Sequence, residues 1–122
     1  MSKQLIYDAV KAHLLAQNEK STRIGTDGNV YNAYHQPATT KKCAIGCLIL
    51  DALYVTSIEG KNVEDPAVMT LLRNSAIISD TEMIDGNMQR FLRQLQDIHD
   101  TMATTDWSAA LNELAKFNAL TP

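Results

Sequence analysis

This sequence is short of most features that announce a function. It has no excess of positive charge: 11 lysines and arginines stand against 14 aspartates and glutamates, for a formal charge of −3. Nonspecific nucleic-acid binding draws on a basic stripe that displaces counterions, so this balance argues against it. The acidic excess is likewise too small for a mimic of DNA. No run reaches the roughly 18 consecutive apolar residues of a membrane span. The longest, residues 43–50, has the length of a core element. Residues 2–8 show no basic region leading into an apolar segment, so no signal peptide is expected. Only two cysteines occur, Cys43 and Cys47. They do not make a secreted disulfide framework, and on one helix they would be poorly placed for a local bridge. Both are expected as reduced thiols in a cytosol. A glycine-rich phosphate loop, a paired-carboxylate hydrolase motif and a serine nucleophile elbow are also missing.

What is present describes one globular domain. The 122 residues are 45% hydrophobic and 20% charged with mixed sign, enough for a real core and too apolar for disorder. Ile6, Ala9, Val10, His13, Leu14 and Gln17 follow the helical period over residues 3–18, with Ser2 as N-cap. The pattern breaks over residues 19–28, where Asp27-Gly28 signals a hairpin with arms at 22–24 and 30–34. Pro37 and residues 39–42 read as loop. Residues 43–54, with Ala44, Ile45, Leu48, Ile49 and Ala52, fit a helix with a broad buried face. A buried strand over 44–50 competes with it, because periodicity does not separate the two. Gly46 lowers helix propensity there by roughly 1 kcal/mol.

Asp65-Pro66 opens a helix whose apolar side holds Val68, Leu71 and Leu72. Ser79 and Glu82 have capping-box spacing and start a short helical turn that Asp85-Gly86-Asn87 interrupts. Met88, Phe91, Leu92, Leu95, Ile98 and Met102 mark the clearest helix. Thr104-Thr105-Asp106 caps a last one, with Trp107, Ala110, Leu111, Leu114 and Phe117 as its buried stripe. The expected fold is mainly α: a compact bundle of about five short helices with a small β-hairpin flap near residues 22–34.

Several pieces occur together. Asp27-Gly28 precedes an aromatic strand ending at Tyr34. Cys43-Ala44-Ile45-Gly46-x-Leu48-Ile49 follows, then Asp51-x-x-Tyr54 and Glu59-Gly60. Leu95-Gln96-Asp97-Ile98-His99-Asp100 and a helix led by Trp107 close the series. This order resembles a group of small phage and prophage proteins, mostly of unassigned function, over nearly the whole chain. Two departures stand out. Those relatives usually carry proline where this chain has Leu50, and often a residue other than cysteine at the place of Cys47. The second counts against Cys47 as a metal ligand. The resemblance implies a phage gene acting in a bacterial host cytoplasm, and implies no particular activity.

Cys43 and His99 are the first candidates for chemistry. A thiolate nucleophile needs a depressed pKa, which a helix N-terminus and a nearby imidazolium supply. Cys43 sits where a helix is expected to begin, after Lys41 and Lys42. His99 borders the apolar face of its helix. Neighbours on a helix diverge by about 100°, so Asp100 is expected to orient His99 poorly. Asp51, Glu59 and Asp97 are the alternatives. The opposing reading makes Cys43 a small buried hydrophobe and gives His99 a hydrogen bond to a loop carbonyl. Cys43, Cys47, His35 and His99 have the types of a zinc set, but a CxxxC without a second pair is a poor zinc signature, and no metal is expected. No cofactor is expected either. His13 reads as a hydrogen-bonded boundary residue. Arg23 with Lys41 and Lys42 is a candidate anion pocket at a helix start, against the plainer reading of a solvated loop. Arg90 and Arg93 read as the wet face of their helix.

The leading functional expectation is an accessory protein that works by binding. Its target is a host protein or a small nucleotide signal, as in host takeover or anti-defence. The surface is placed on the flap, with Tyr31 and Tyr34 as exposed aromatics and Arg23, Lys41 and Lys42 beside them. On this reading Tyr31→Ala or Tyr34→Ala removes binding and spares helicity. The alternative is a cysteine-dependent hydrolase or transferase using Cys43 and His99. A DNA-binding regulator has only the helical content in its favour. A symmetric dimer is the default assembly.

Overall fold

Four of the five helices begin where a side chain takes the first free backbone N–H groups, three of them at the caps expected from sequence and the fourth at Asp85, expected only to interrupt a turn. In the computed structural model, which describes residues 1–122, Ser2 Oγ accepts from Leu5 N–H at the start of α1 (Lys3–Gln17). Asp65 caps α2 (Pro66–Asn74), with proline in its first turn. Ser79 and Glu82 form a reciprocal capping box on α3 (Asp80–Met83). Asp85 caps α4 (Gly86–Thr101) through Asn87 and Met88 N–H. The exception is α5 (Trp107–Phe117): the cap expected from Thr104-Thr105-Asp106 does not form, and the helix grows out of a single 3₁₀ turn at Thr104–Asp106 without a side-chain cap.

The apolar stripes meet as the periodicity requires. α1 packs against α4 and α5, and those two pack against each other. Ile6, Tyr7, Val10 and Leu14 face Phe91, Leu92, Leu95, Trp107 and Leu111 in one continuous core. Fully burying each large apolar side chain contributes about 1.5–3 kcal/mol. Tyr7 brings its hydroxyl inside by donating to the Leu111 carbonyl, 3.0 Å away. α3 leans on α2 and α4. The two strands, β1 (Thr22–Ile24) and β2 (Val30–Asn32), form an antiparallel hairpin, and Gly28 supplies the positive φ of its turn. The fold is thus mainly helical, with five helices and one two-stranded hairpin.

The expected helix over residues 43–54 does not form. Single 3₁₀ turns at Gly46–Leu48 and Thr56–Ile58 lie in an otherwise irregular segment. The competing strand is absent too. The backbone donors are spent elsewhere: Cys43 N–H on the Tyr34 carbonyl, Ile45 N–H on Gln96 Oε1 (3.0 Å) and Gly46 N–H on Cys43 Sγ. A Cβ at Gly46 would collide with the Tyr34 carbonyl, so glycine is there for close approach. The segment is nonetheless core: Cys43, Ala44, Ile45, Leu48 and Ile49 are buried. Tertiary partners have replaced secondary structure as the way to satisfy its backbone.

Candidate functional site

The hairpin has two unlike faces. In its register Arg23 stands opposite Tyr31, and Ile24 opposite Val30. Alternate residues of a strand point to opposite sides. Ile24 and Val30 are turned to solvent, 76% and 67% exposed. Arg23 and Tyr31 line a cleft of about 300 Å³ closed by the 60–63 loop and by Arg93, Gln96, Asp97 and Asp100 of α4.

On the hairpin side, the Arg23 guanidinium lies 5.1 Å from the Tyr31 ring centroid. Arg23 makes no ion pair, and its buried Nε has no acceptor in the protein. Leaving a buried donor unsatisfied costs about 1–3 kcal/mol. The Tyr31 hydroxyl bonds to Asp27 at the hairpin turn. That bond, with the Asn29 backbone N–H, holds the Asp27 carboxyl below its usual range.

The α4 wall is acidic. Burial pushes the Asp97 carboxyl up; Arg93 opposes this, and Asp100 and Glu64 add to it. Asp100 Oδ1 is 2.8 Å from both Gln96 Nε2 and His99 Nδ1, which leaves Oδ2 free of protein partners. Arg93 is held by Glu64 at 2.7 Å. An unpaired cation therefore faces carboxylates with open acceptor positions. Residues 93, 97 and 100 form one stripe beside the buried stripe of α4. Arg93 is exposed, as its reading as a wet face expects, and it also lines this cleft with residues 97 and 100, a grouping not expected from sequence.

The other proposed site residues are distributed differently. Tyr34 is buried, not exposed, and its hydroxyl donates to the Lys61 carbonyl at 2.7 Å. Tyr31 is left as the exposed aromatic of the flap. Lys41 and Lys42 do not join Arg23. They line a separate hollow of about 350 Å³ with His35, Asp51 and Tyr54. Both are neutralised there, Lys42 by Asp51 at 2.6 Å and Lys41 by Glu19 at 2.5 Å. The helix start that was to complete their anion pocket is not formed.

Cys43 is buried, and burial drives its thiol far above the ordinary range, with the Gly46 N–H acting weakly against it. Cys47 is pushed up to about 12 by burial, with Lys42 opposing. His99 is fully buried and packs on Trp107, ring centroids 5.6 Å apart. Its Nε2 accepts from Ser21 N–H at 3.0 Å and its Nδ1 meets Asp100. The loop group it binds is an amide, not the expected carbonyl. Asp100, expected to orient His99 poorly, is the group that does so. Neither ring nitrogen is free to take a proton from Cys43. His35 Nε2 is likewise engaged, by the Gly46 carbonyl at 2.8 Å, and no three His, Cys, Asp or Glu residues converge as a metal site.

Two further motif residues prove central to the scaffold: Gln96, given no role from sequence, and Glu59, which was a candidate to orient His99 and does not contact it. Glu59 accepts from the backbone N–H groups of Tyr34 and His35 and from the Tyr54 hydroxyl, at 2.9, 3.2 and 2.5 Å. Gln96 clamps Ile45 to Asp100. Chain position gives little hint of most of these partners: Tyr34, His35 and Ile45 lie 24 to 51 residues away, while Tyr54 is five residues from Glu59 and Asp100 one turn from Gln96.

Comparison with known proteins finds no match: no family model, no curated protein and no solved structure is similar to this chain. Function must therefore be argued from the site.

Proposed function

We propose that this protein acts by binding, as a small phage-encoded accessory protein in a bacterial host cytoplasm, and that it sequesters a small anionic molecule of the nucleotide-signal kind. The resemblance to small phage proteins supplies the setting. The mode of action rests on one observation: Arg23 lies in a polar cleft without an ion pair, its Nε buried and unpartnered. Guanidinium groups in proteins are ordinarily matched to carboxylate or phosphate, and an anionic ligand would complete the match. A concave polar cleft also suits a small molecule better than a flat protein epitope. Catalysis through Cys43 and His99 has no comparable support, since the thiol is buried and its presumed base is engaged twice.

The test is to express the protein in bacteria with and without an active defence system, purify it, and identify by mass spectrometry the small molecules released on denaturation. Wild-type protein should carry an anionic metabolite. Arg23→Ala and Tyr31→Ala should carry about tenfold less or lower still, the loss of a hydrogen bond to a charged group. Retention by both variants overturns the cleft assignment. A wild-type protein that carries no metabolite, yet holds a host protein through Tyr31, overturns the small-molecule target in favour of a protein one.

A further inference from the structure

We infer that the cleft under the hairpin recognises a phosphorylated ribose, with the phosphate on Arg23 and the sugar hydroxyls on Asp97 and Asp100. The inference rests on the binding reading above and adds the class and orientation of the ligand.

The phosphate end follows from the state of Arg23. Its planar group of N–H donors fits a phosphate, and Arg23 lines the cleft; the Nε–H is buried, so the terminal Nη groups are the donors a phosphate would meet. The Tyr31 ring lies against the guanidinium and is tied in turn to Asp27 at the hairpin turn. The cation is thus held in place before a ligand arrives, which reduces the ordering cost of binding.

The sugar end follows from the opposite wall. Asp97 and Asp100 are three residues apart on α4 and so share a face. Carboxylates only accept, and Asp97 together with Asp100 Oδ2 has no donor from the protein. A second anionic group would be repelled here. A vicinal diol instead brings two O–H donors to two acceptors.

Charge and size narrow the class. Arg93 is paired with Glu64 and Lys61 with Asp65, so Arg23 is the lining cation without a carboxylate partner and the place where an anionic group would go. The cleft's volume of about 300 Å³ is at the lower end for small-molecule pockets. That admits a sugar phosphate or a nucleoside monophosphate before any larger oligonucleotide.

The experiment is an NMR titration of ¹⁵N-labelled protein that follows the Arg23 Nε–H resonance. The probes are adenosine 5′-monophosphate, its 2′-deoxy counterpart, ribose 5-phosphate, ribose and inorganic phosphate. Adenosine monophosphate and ribose 5-phosphate should shift that resonance saturably. Removing the 2′-hydroxyl, or the substitution Asp97→Asn, should weaken binding about tenfold, the scale of one hydrogen bond to a charged group. Arg23→Gln, checked for an unchanged amide spectrum elsewhere, should abolish the response. Inorganic phosphate should act on Arg23 more weakly. Equal binding of the 2′-deoxy compound, or no shift of Arg23 by any probe up to about 10 mM, overturns the inference. A metabolite that co-purifies in an Arg23-dependent way but lacks phosphate or a diol overturns it as well, while leaving the binding reading in place.

Discussion

Asp100 Oδ1 lies 2.8 Å from Nδ1 of His99, its immediate neighbour on α4. On the other side of the ring, Nε2 is 3.0 Å from the Ser21 backbone nitrogen. An amide N–H can only donate, so Nε2 holds the lone pair and the ring proton sits on Nδ1, donating to Asp100. His99 thereby pins the segment entering β1 to α4. This is a structural role, and it also fixes the Asp100 carboxylate that forms one wall of the cleft.

Replacing His99 by alanine should therefore unlock the hairpin. Ser21 N–H would lose its acceptor and a void would open beside Trp107. The expected loss is about 2–4 kcal/mol, combining a cavity with an unsatisfied buried amide. Urea unfolding measures it. A loss below about 1 kcal/mol would place this site among ordinary surface substitutions and contradict the role.

The thiols should be inert in the folded protein. Cys43 alkylation by iodoacetamide near neutral pH should proceed only through unfolding, its rate rising with denaturant. Mass spectrometry distinguishes it from Cys47, which is half-buried. Labelling of Cys43 faster than a model thiol would restore the enzymatic alternative.

The same burial sets the alkaline limit of stability. Both thiols ionise higher in the folded chain than in the unfolded one, where their ordinary value is 9.0. Below that value both states hold the protons and the thiols contribute no pH dependence. Above it, the unfolded chain releases protons first, so stability falls as pH rises, for Cys47 until about 12. Denaturant midpoints measured at pH 8 and pH 10.5 should show the decline, and Cys43→Ala with Cys47→Ala should reduce it. A flat profile would show that the thiols are not shielded.

Gly46→Ala separates two pictures of the segment after Cys43 by sign alone. In a helix, alanine would stabilise by roughly 1 kcal/mol. Against the Tyr34 carbonyl its Cβ has no room, so the variant should instead be destabilised, by about 1–3 kcal/mol as for other overpacked core sites. A rise in thermal midpoint would contradict the close approach.

Tyr31 and Tyr34 should part company. Tyr34→Ala removes a core side chain and should cost about 3–5 kcal/mol, while Tyr34→Phe loses one hydrogen bond, about 1 kcal/mol. Tyr31→Ala should stay near wild-type stability, within about 1 kcal/mol, and lose ligand. If Tyr31→Ala unfolds the protein and Tyr34→Ala does not, the assignment of the two faces is reversed.

Local signals carried much of this fold. Ser2, Asp65 and Ser79 mark helix starts because capping is settled within three residues of chain. The stripes of α1, α4 and α5 are legible in their middles because 3.6-residue periodicity reports burial, but Met102 and Phe117, expected in them at the helix ends, are 40% and 79% exposed. Asp27-Gly28 marks the hairpin because its turn needs a residue tolerant of positive φ. The candidate site was less legible. Arg23 and Tyr31 were identified, but Lys41 and Lys42 were grouped with them and Asp97 and Asp100 were not. Nothing local shows that the two lysines meet Glu19 and Asp51 while Arg23 meets no carboxylate.

By itself, then, the sequence determined where three of the helices begin, most of the faces they bury and where the hairpin turns, since each depends on residues a few positions apart. The tertiary structure decided the fate of residues 43–54. There the donors of Cys43 and Ile45 found Tyr34 and Gln96, and the close approach of Tyr34 at Gly46 excluded a helix that the apolar pattern favoured. It also decided the cleft, because placing a hairpin arginine opposite the carboxylates of α4 depends on contacts that span most of the chain.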